Sequence, residues 1–263
     1  MKYIISISGG KDSTACLLYM LERVKKEDII PVFCDTKWES DVTYKYLEYL
    51  EAKLDIYITR LESEGMENLC KRKGIVISSL IRNCTLELKI KPFEKYLKEH
   101  FVDKGIEFIV VEGVRREESE SRADTEVFNV KKSTIKGEKF LEPTLYPIAY
   151  WDTERVFEYI ESKGILVNPL YKAGHKRVGC MPCVFASKWD LMYLPKKYKE
   201  RLRLLEETIS EQIQKDAFMF HPKKQKHLEP LLFNEEELFA SEKEMIKELE
   251  EEIKKIKGDE DEK

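Results

Sequence analysis

No stretch of the 263-residue chain approaches the roughly 20 consecutive apolar residues that a membrane-crossing helix requires. The opening residues read as a strand rather than a cleavable leader, so no membrane partner is expected. Internal repeats are lacking. So is the Walker pattern G-x-x-x-x-G-K-[ST], and any phosphate site must therefore be built another way. Neither charge sign dominates, because a net charge of −4 selects no partner by itself. Six cysteines without a secretory leader point to a reducing, cytoplasmic setting, where thiols bind metal or do redox work more often than they form staples.

What is present begins with "IISISGGKDSTACLLYML", residues 4–21. An apolar strand, 2–7, runs through Ser8-Gly9-Gly10-Lys11-Asp12-Ser13 into an amphipathic helix expected over 13–25. A turn needs one glycine. Two glycines with a lysine and hydroxyls leave room for an anion at the start of a helix, where unpaired amides and the helix dipole favour negative charge. Phosphate fits. Asp12 or Ser13 is a candidate cap, and an acid beside a phosphate is a handle for Mg2+.

Further strands are expected at 29–36, 55–60 and 107–114, and helices at 41–54, 62–73, 92–103 and 152–163, the last capped by Asp152. Residues 124–150 read as irregular or as a hairpin. Strand and helix alternate, which predicts an α/β fold, a doubly wound and mostly parallel sheet of Rossmann-like type. Its ligand belongs at the carboxyl ends of the strands, on the rim that carries the 8–13 loop, Asp35 and the segment after Val111. Pro169, Gly174, Gly179 and Pro182 mark a loop-rich stretch. Beyond Ser187 the pattern is helical, with breaks near Pro222 and Pro230, and gives a C-terminal extension over 187–263 behind a nucleotide-binding domain over 1–186. From Lys188 to His227 ten Lys or Arg face six Asp or Glu, an excess that fits a solvated face and leaves nucleic-acid contact as the alternative.

Cys180 and Cys183 stand at i and i+3, and a turn brings such a pair to one point. With distant Cys84 they suit an iron–sulfur cluster. With His175 they suit Zn2+, and alone they suit a redox dithiol. Cys16 and Cys34 lie within apolar patterns and read as core. Trp38 is read as stacking on adenine or packing under a loop, Trp151 as core, and Tyr171 and His175 as neighbours of the thiols.

Ser8-Gly9-Gly10-Lys11-Asp12-Ser13 resembles the signature of the PP-loop ATP pyrophosphatases, an adenine nucleotide alpha-hydrolase-like superfamily. "RNCTLELKIKP", "GVRREESESR" and "NPLYKAGHKRVGCMPC" resemble its PAPS reductase-like (phosphoadenosine phosphosulfate reductase) branch. The resemblance implies ATP as ligand, with Mg2+, and gives Ser8, Gly9, Gly10, Lys11, Asp12, Ser13, Asp35 and Gly113 as nucleotide-binding residues. It implies Lys11, Asp12, Arg115 and Arg122 as catalytic, with Ser119 less defined, and Cys84, Cys180 and Cys183 as ligands of a [4Fe-4S] cluster. Reductases of the branch carry a double cysteine where this chain has Asn83-Cys84, use a C-terminal cysteine where none follows Cys183, and have a degenerate phosphate loop.

Those departures favour an AMP-forming ATP pyrophosphatase that adenylates an acceptor, expected to be nucleic acid, for sulfur incorporation. Three-cysteine tRNA thiolases and the ATP pyrophosphatase component of DNA phosphorothioation systems are similar, and the latter is the closer resemblance. A cysteine desulfurase or other sulfur donor protein is then the expected partner, and a homodimer is compatible. PAPS or adenylylsulfate reduction is the alternative. A nucleotide-regulated subunit that binds nucleic acid or a partner protein is the reading of another class.

Overall fold

The computed structural model describes residues 1–135, 137–221 and 235–261. Its elements are β1 (Lys2–Ile7), α1 (Lys11–Leu21), β2 (Ile29–Asp35), α2 (Asp41–Leu54), β3 (Thr59–Glu62) and α3 (Met66–Lys73). A helical run over 83–102, α4, contains π-type turns at Leu86–Ile90 and Lys98–Val102. Then come β4 (Phe108–Val111), β5 (Phe128–Ile135), β6 (Glu138–Leu145), α5 (Thr153–Ser162), α6 (Lys188–Met192), α7 (Lys196–Ile213) and α8 (Glu235–Asp261).

One sheet orders the strands β3-β2-β1-β4-β6-β5. All neighbours are parallel except the β5–β6 hairpin, which closes one edge. The chain winds outward from β1 through β2 to β3 and then returns to place β4 on the other side of β1. That reversal opens a crevice between the carboxyl ends of β1 and β4, where ligands of such sheets bind.

Alternation in the strands explains the layers, since successive side chains point to opposite faces. Ile5, Ile7 and Phe33 enter one core with α1, α2 and α5, while Ile4, Val32 and Val110 enter a second with Phe93, Leu97 and Phe101 of α4. Ser40 caps α2 by accepting from the Thr43 amide, and Asp152 caps α5 by accepting from the Arg155 amide. A third core joins Trp38 and α3 to Leu202, Leu205 and Ile209 of α7.

Several boundaries depart from expectation. α1 starts at Lys11 because Gly10 is its cap residue, with no side-chain bond, so Asp12 and Ser13 lie inside the first turn and neither caps it. β3 begins at Thr59, since Asp55 ends α2 in the left-handed region at φ 47° and the chain needs further residues to re-enter the sheet. The helix expected from 92 already runs from 83. A proline usually marks a helix start, but Pro92 follows a π-type turn that carries the helix past it. Residues 124–150 contain the β5–β6 hairpin. The expected breaks at Pro222 and Pro230 lie outside the described residues.

Among the described residues no helix is long and apolar enough to cross a membrane. α8 lies against α2, with Leu249 fully buried among Met245, Ile246 and Ile253. Tyr198 donates to Glu242 at 2.6 Å and Lys172 pairs with Glu248 at 3.0 Å. Truncating a buried leucine removes its transfer energy and leaves a cavity. Leu249→Ala should cost about 2–5 kcal/mol in urea unfolding, and an unchanged midpoint would show α8 detached.

Candidate active site

The β1–α1 loop is held by its own polar groups. Gly9 takes φ 73°, and a Cβ there would meet Thr43 Cγ2 at 2.8 Å. Ser13 Oγ accepts from the Ser8 amide at 3.2 Å and donates to the Gly10 carbonyl at 2.9 Å, while Asn168 donates to the Gly9 carbonyl at 3.0 Å. The Tyr171 hydroxyl, 160 positions away, accepts from the Lys11 amide at 3.0 Å. The amides of Ser8 and Lys11 are thus bonded within the protein, whereas the sequence suggested that the loop amides face a ligand. An incoming phosphate would displace Tyr171 from the helix start.

Charge is organised around Asp12. Its carboxylate takes Lys11 Nζ at 2.7 Å on one oxygen and Arg115 Nε at 2.5 Å on the other. Arg115 is 2% exposed and also bonds Glu117, the Trp151 carbonyl and Thr153. It is therefore a brace between the β1 and β4 loops rather than a free phosphate ligand. Gly113 permits the closeness: a Cβ there would lie 2.7 Å from the Asp12 carbonyl carbon and 2.9 Å from the Ser13 amide. Arg122 forms an ion pair with Glu118 at the cleft mouth. Asp35 accepts from the Lys37 amide and the Tyr44 hydroxyl, each at 2.7 Å, and does not line the cleft. Asp12, the carboxylate expected to be a handle for Mg2+, is thus matched by two cations of the protein itself.

The thiols are placed by the segment after β2. Glu39 and Cys180 form an isolated antiparallel bridge. The Met181 amide donates to the Trp38 carbonyl at 2.7 Å, and Trp38 Nε1 donates to the Pro182 carbonyl at 3.1 Å. Trp38 is fully buried under the Arg201 guanidinium, 4.0 Å from its ring centre, so it packs beneath the loop and does not reach a base. Burial pushes the Cys180 thiol up to about 12 against the pull of Lys89, with Glu39 and Cys183 adding to the rise. Lys89 is held above its usual value by Cys180 and Glu39. All six cysteines are free, and Cys84, Cys180 and Cys183 border the same core. Among the described residues no group of three or more His, Cys, Asp or Glu is arranged to hold a metal ion. The three thiols, and the thiol–His175 set considered for Zn2+, are thus not a formed ligand cage.

Two connected hollows result. The inner one, about 390 Å³, is lined by Ser8, Gly10, Lys11, Asp12, Ser13 and Gly113 together with Cys180, Cys183 and Lys89. The outer one, about 820 Å³, shares Lys11, Arg122, Tyr171, Lys176 and Arg177 with it. Cys84, Asp35 and Gly9 line neither, while Ser119 lines the outer hollow. Trp151 is core, as are Cys16 and much of Cys34. The sequence reading missed Glu39, Lys89 and Asp190. Only Asp190 had a local signal, the capping box Ser187-x-x-Asp190.

Part of the basic stretch is spent on the protein itself. Lys197 pairs with Asp41 and Glu242, Arg203 pairs with Glu207, and Arg201 donates to the Trp38 and Met181 carbonyls. Its end, including His227, lies outside the described residues.

Fold and loop together define an α/β protein with a glycine-rich β1–α1 loop and thiols lining one hollow. Residues 2–186 match the phosphoadenosine phosphosulfate reductase domain, and the chain belongs to that family. An uncharacterized 37.8 kDa protein of Escherichia phage 186 is 30% identical, with 76% of this chain and 72% of the relative covered. The adenosine 5'-phosphosulfate reductase of Oceanobacillus iheyensis is 27% identical, with 68% and 70% covered. The chain spans less than half the length of two further relatives, from Methanocaldococcus jannaschii. In structure it is similar to the phosphoadenylyl-sulfate reductase of Candida auris, at a TM-score of 0.51 and 20% identity over 70% of this chain and 83% of that one. These matches carry the family and the fold, and do not single out phosphorothioation.

Two substitutions test the assembly. Gly113→Ala would drive a methyl into backbone, which cannot yield as a side-chain tip does, and should cost about 1–3 kcal/mol in urea unfolding; no loss would show that the two loops are not in contact. Asp190 accepts from the Lys176 amide and from Ser187 through both amide and hydroxyl, and so ties down the cysteine loop. Burial disfavours its carboxylate, but bonds from His175 and Ser187 outweigh that and hold its pKa well below the usual range. The stabilisation is therefore complete above the ordinary Asp value of about 4 and fades as pH falls below it. Wild type should exceed Asp190→Asn in stability by about 1–3 kcal/mol near neutrality, with the gap shrinking below about pH 4. A gap independent of pH would contradict this role.

Proposed function

We propose that the protein is an AMP-forming ATP pyrophosphatase that activates an acceptor for sulfur chemistry. The supporting observation is that Lys11, Ser8 and Ser13 line the same hollow as Cys180 and Cys183. A diphosphate seated on the loop would present the α-phosphorus toward the thiol side. An acceptor oxygen attacks that phosphorus, the bond to the β-phosphate oxygen breaks, and pyrophosphate departs. The acceptor then carries AMP, a leaving group that a sulfur nucleophile can replace.

In this reading Lys11 does the electrostatic work. Asp12 holds its ammonium in place until a more highly charged pyrophosphate draws it away, and Arg115 keeps Asp12 from following. Donors set in advance lose little reorganisation energy as charge builds on the leaving group. Gly10 and Gly113 keep the approach clear, and Arg122 faces the substrate side of both hollows. Mg2+, if carried in with ATP, would share the charge of the phosphates. Residues 1–186 would carry the chemistry, with 187–263 bracing the thiol loop.

A second reading is reduction of a sulfonucleotide, which the name of the Oceanobacillus relative favours. One assay separates them. With ATP and Mg2+ the first reading expects AMP and pyrophosphate in equal amounts; sulfite released from adenylylsulfate by a dithiol, with no AMP from ATP, would select the second. Lys11→Ala should lower AMP formation about 100- to 1,000-fold with a melting temperature near that of wild type, because Asp12 retains Arg115. Unchanged turnover would remove Lys11 from the reaction.

A further inference from the structure

We propose that the outer hollow is a binding site for single-stranded nucleic acid, which names the acceptor class and so rests on the activation reading above. The chain is acidic overall at −4, yet this hollow is lined by Arg82, Arg122, Lys176 and Arg177 against one acid, Glu118. Glu118 is already paired with Arg122. Arg82, Lys176 and Arg177 have no carboxylate partner among the described residues, and all three are exposed. Three unneutralised cations held together in a concavity repel one another. Such an arrangement is stabilised by a ligand of repeated negative charge.

An aromatic adds a second requirement. Phe185, 36% exposed, stands between two guanidiniums, with Arg82 at 4.7 Å and Arg177 at 5.7 Å from its ring centre. An acidic protein segment would use the cations and leave this ring wet. A nucleic acid strand uses both, because phosphates meet the guanidiniums while a base stacks on ring and guanidinium planes. A duplex would not expose a base face to Phe185. Size agrees as well: about 820 Å³ in the outer hollow is twice the inner volume and is open beside it, with Lys11, Arg122 and Tyr171 on the shared wall. A strand lying there brings its sugar–phosphate oxygens to the nucleotide site.

The test is fluorescence anisotropy of a labelled oligothymidylate with the full-length protein and no nucleotide present. Wild type should bind, with log K falling linearly in log salt. Arg82→Ala/Arg177→Ala should weaken binding by at least tenfold and flatten the salt slope by about 1.4, at about 0.7 per phosphate contact on a single strand. Phe185→Ala should weaken binding about tenfold with the slope kept, and Phe185→Trp should restore it. Binding unaffected by these changes, or poly-glutamate competing equally at matched charge, would overturn the assignment, as would preference for duplex. AMP formation is read separately. Binding without AMP formation leaves this site standing and removes the pyrophosphatase; AMP formation without binding does the reverse.

Discussion

The site depends on the contact between the exit of β4 and the first turn of α1. Gly113 packs with no side chain against the Asp12 backbone, and Arg115, two residues on, reaches back to the Asp12 carboxylate at 2.5 Å. The sheet reverses direction here, so the contact closes the floor of the crevice that the topology opens. Breaking it would separate the strand loops and loosen Lys11, whose ammonium is held by Asp12 beside the Tyr171 ring.

The ion cluster has a cost that its geometry offsets. A buried guanidinium is tolerable only when its donors are matched, and Arg115 meets two carboxylates, a carbonyl and a hydroxyl. The thiol wall follows similar logic by different means. Backbone bonds from Trp38 and Glu39 hold Met181 and Cys180, and the Arg201 guanidinium caps Trp38 while bonding two carbonyls of the same region. One wall is rigid through charge, the other through backbone pairing and a packed indole. Between them lies the hollow, with Tyr171 and Lys11 in its lining.

Much of the fold was legible because local rules and tertiary demands agree. The apolar run of β1, the Asp152 cap and the glycines of the 8–13 loop each report a constraint carried by neighbours in sequence. The site was legible only where its residues are neighbours too. The pairing of Arg115 with Asp12 spans 103 positions, and no local pattern shows that it makes Arg115 a brace. Asp35 was placed on the ligand rim because it ends a strand, but its Oδ1 accepts from its own turn and from Tyr44, and it lines neither hollow. Glu39 and Lys89 gave no signal, since a single acid or lysine at a loop or helix carries none until the fold places it beside a thiol. In the basic stretch the charges are local in sequence, yet the partners of Lys197 come from α2 and α8.

The most direct measurement is a crystal structure with a non-hydrolysable ATP analogue and Mg2+. The predicted result has the two terminal phosphates against Lys11 Nζ and the Ser8 and Ser13 hydroxyls, Tyr171 moved off the Lys11 amide, and the α-phosphate facing Cys180 and Cys183. An analogue bound elsewhere, with Lys11 still on Asp12 and the Tyr171 bond intact, would contradict it.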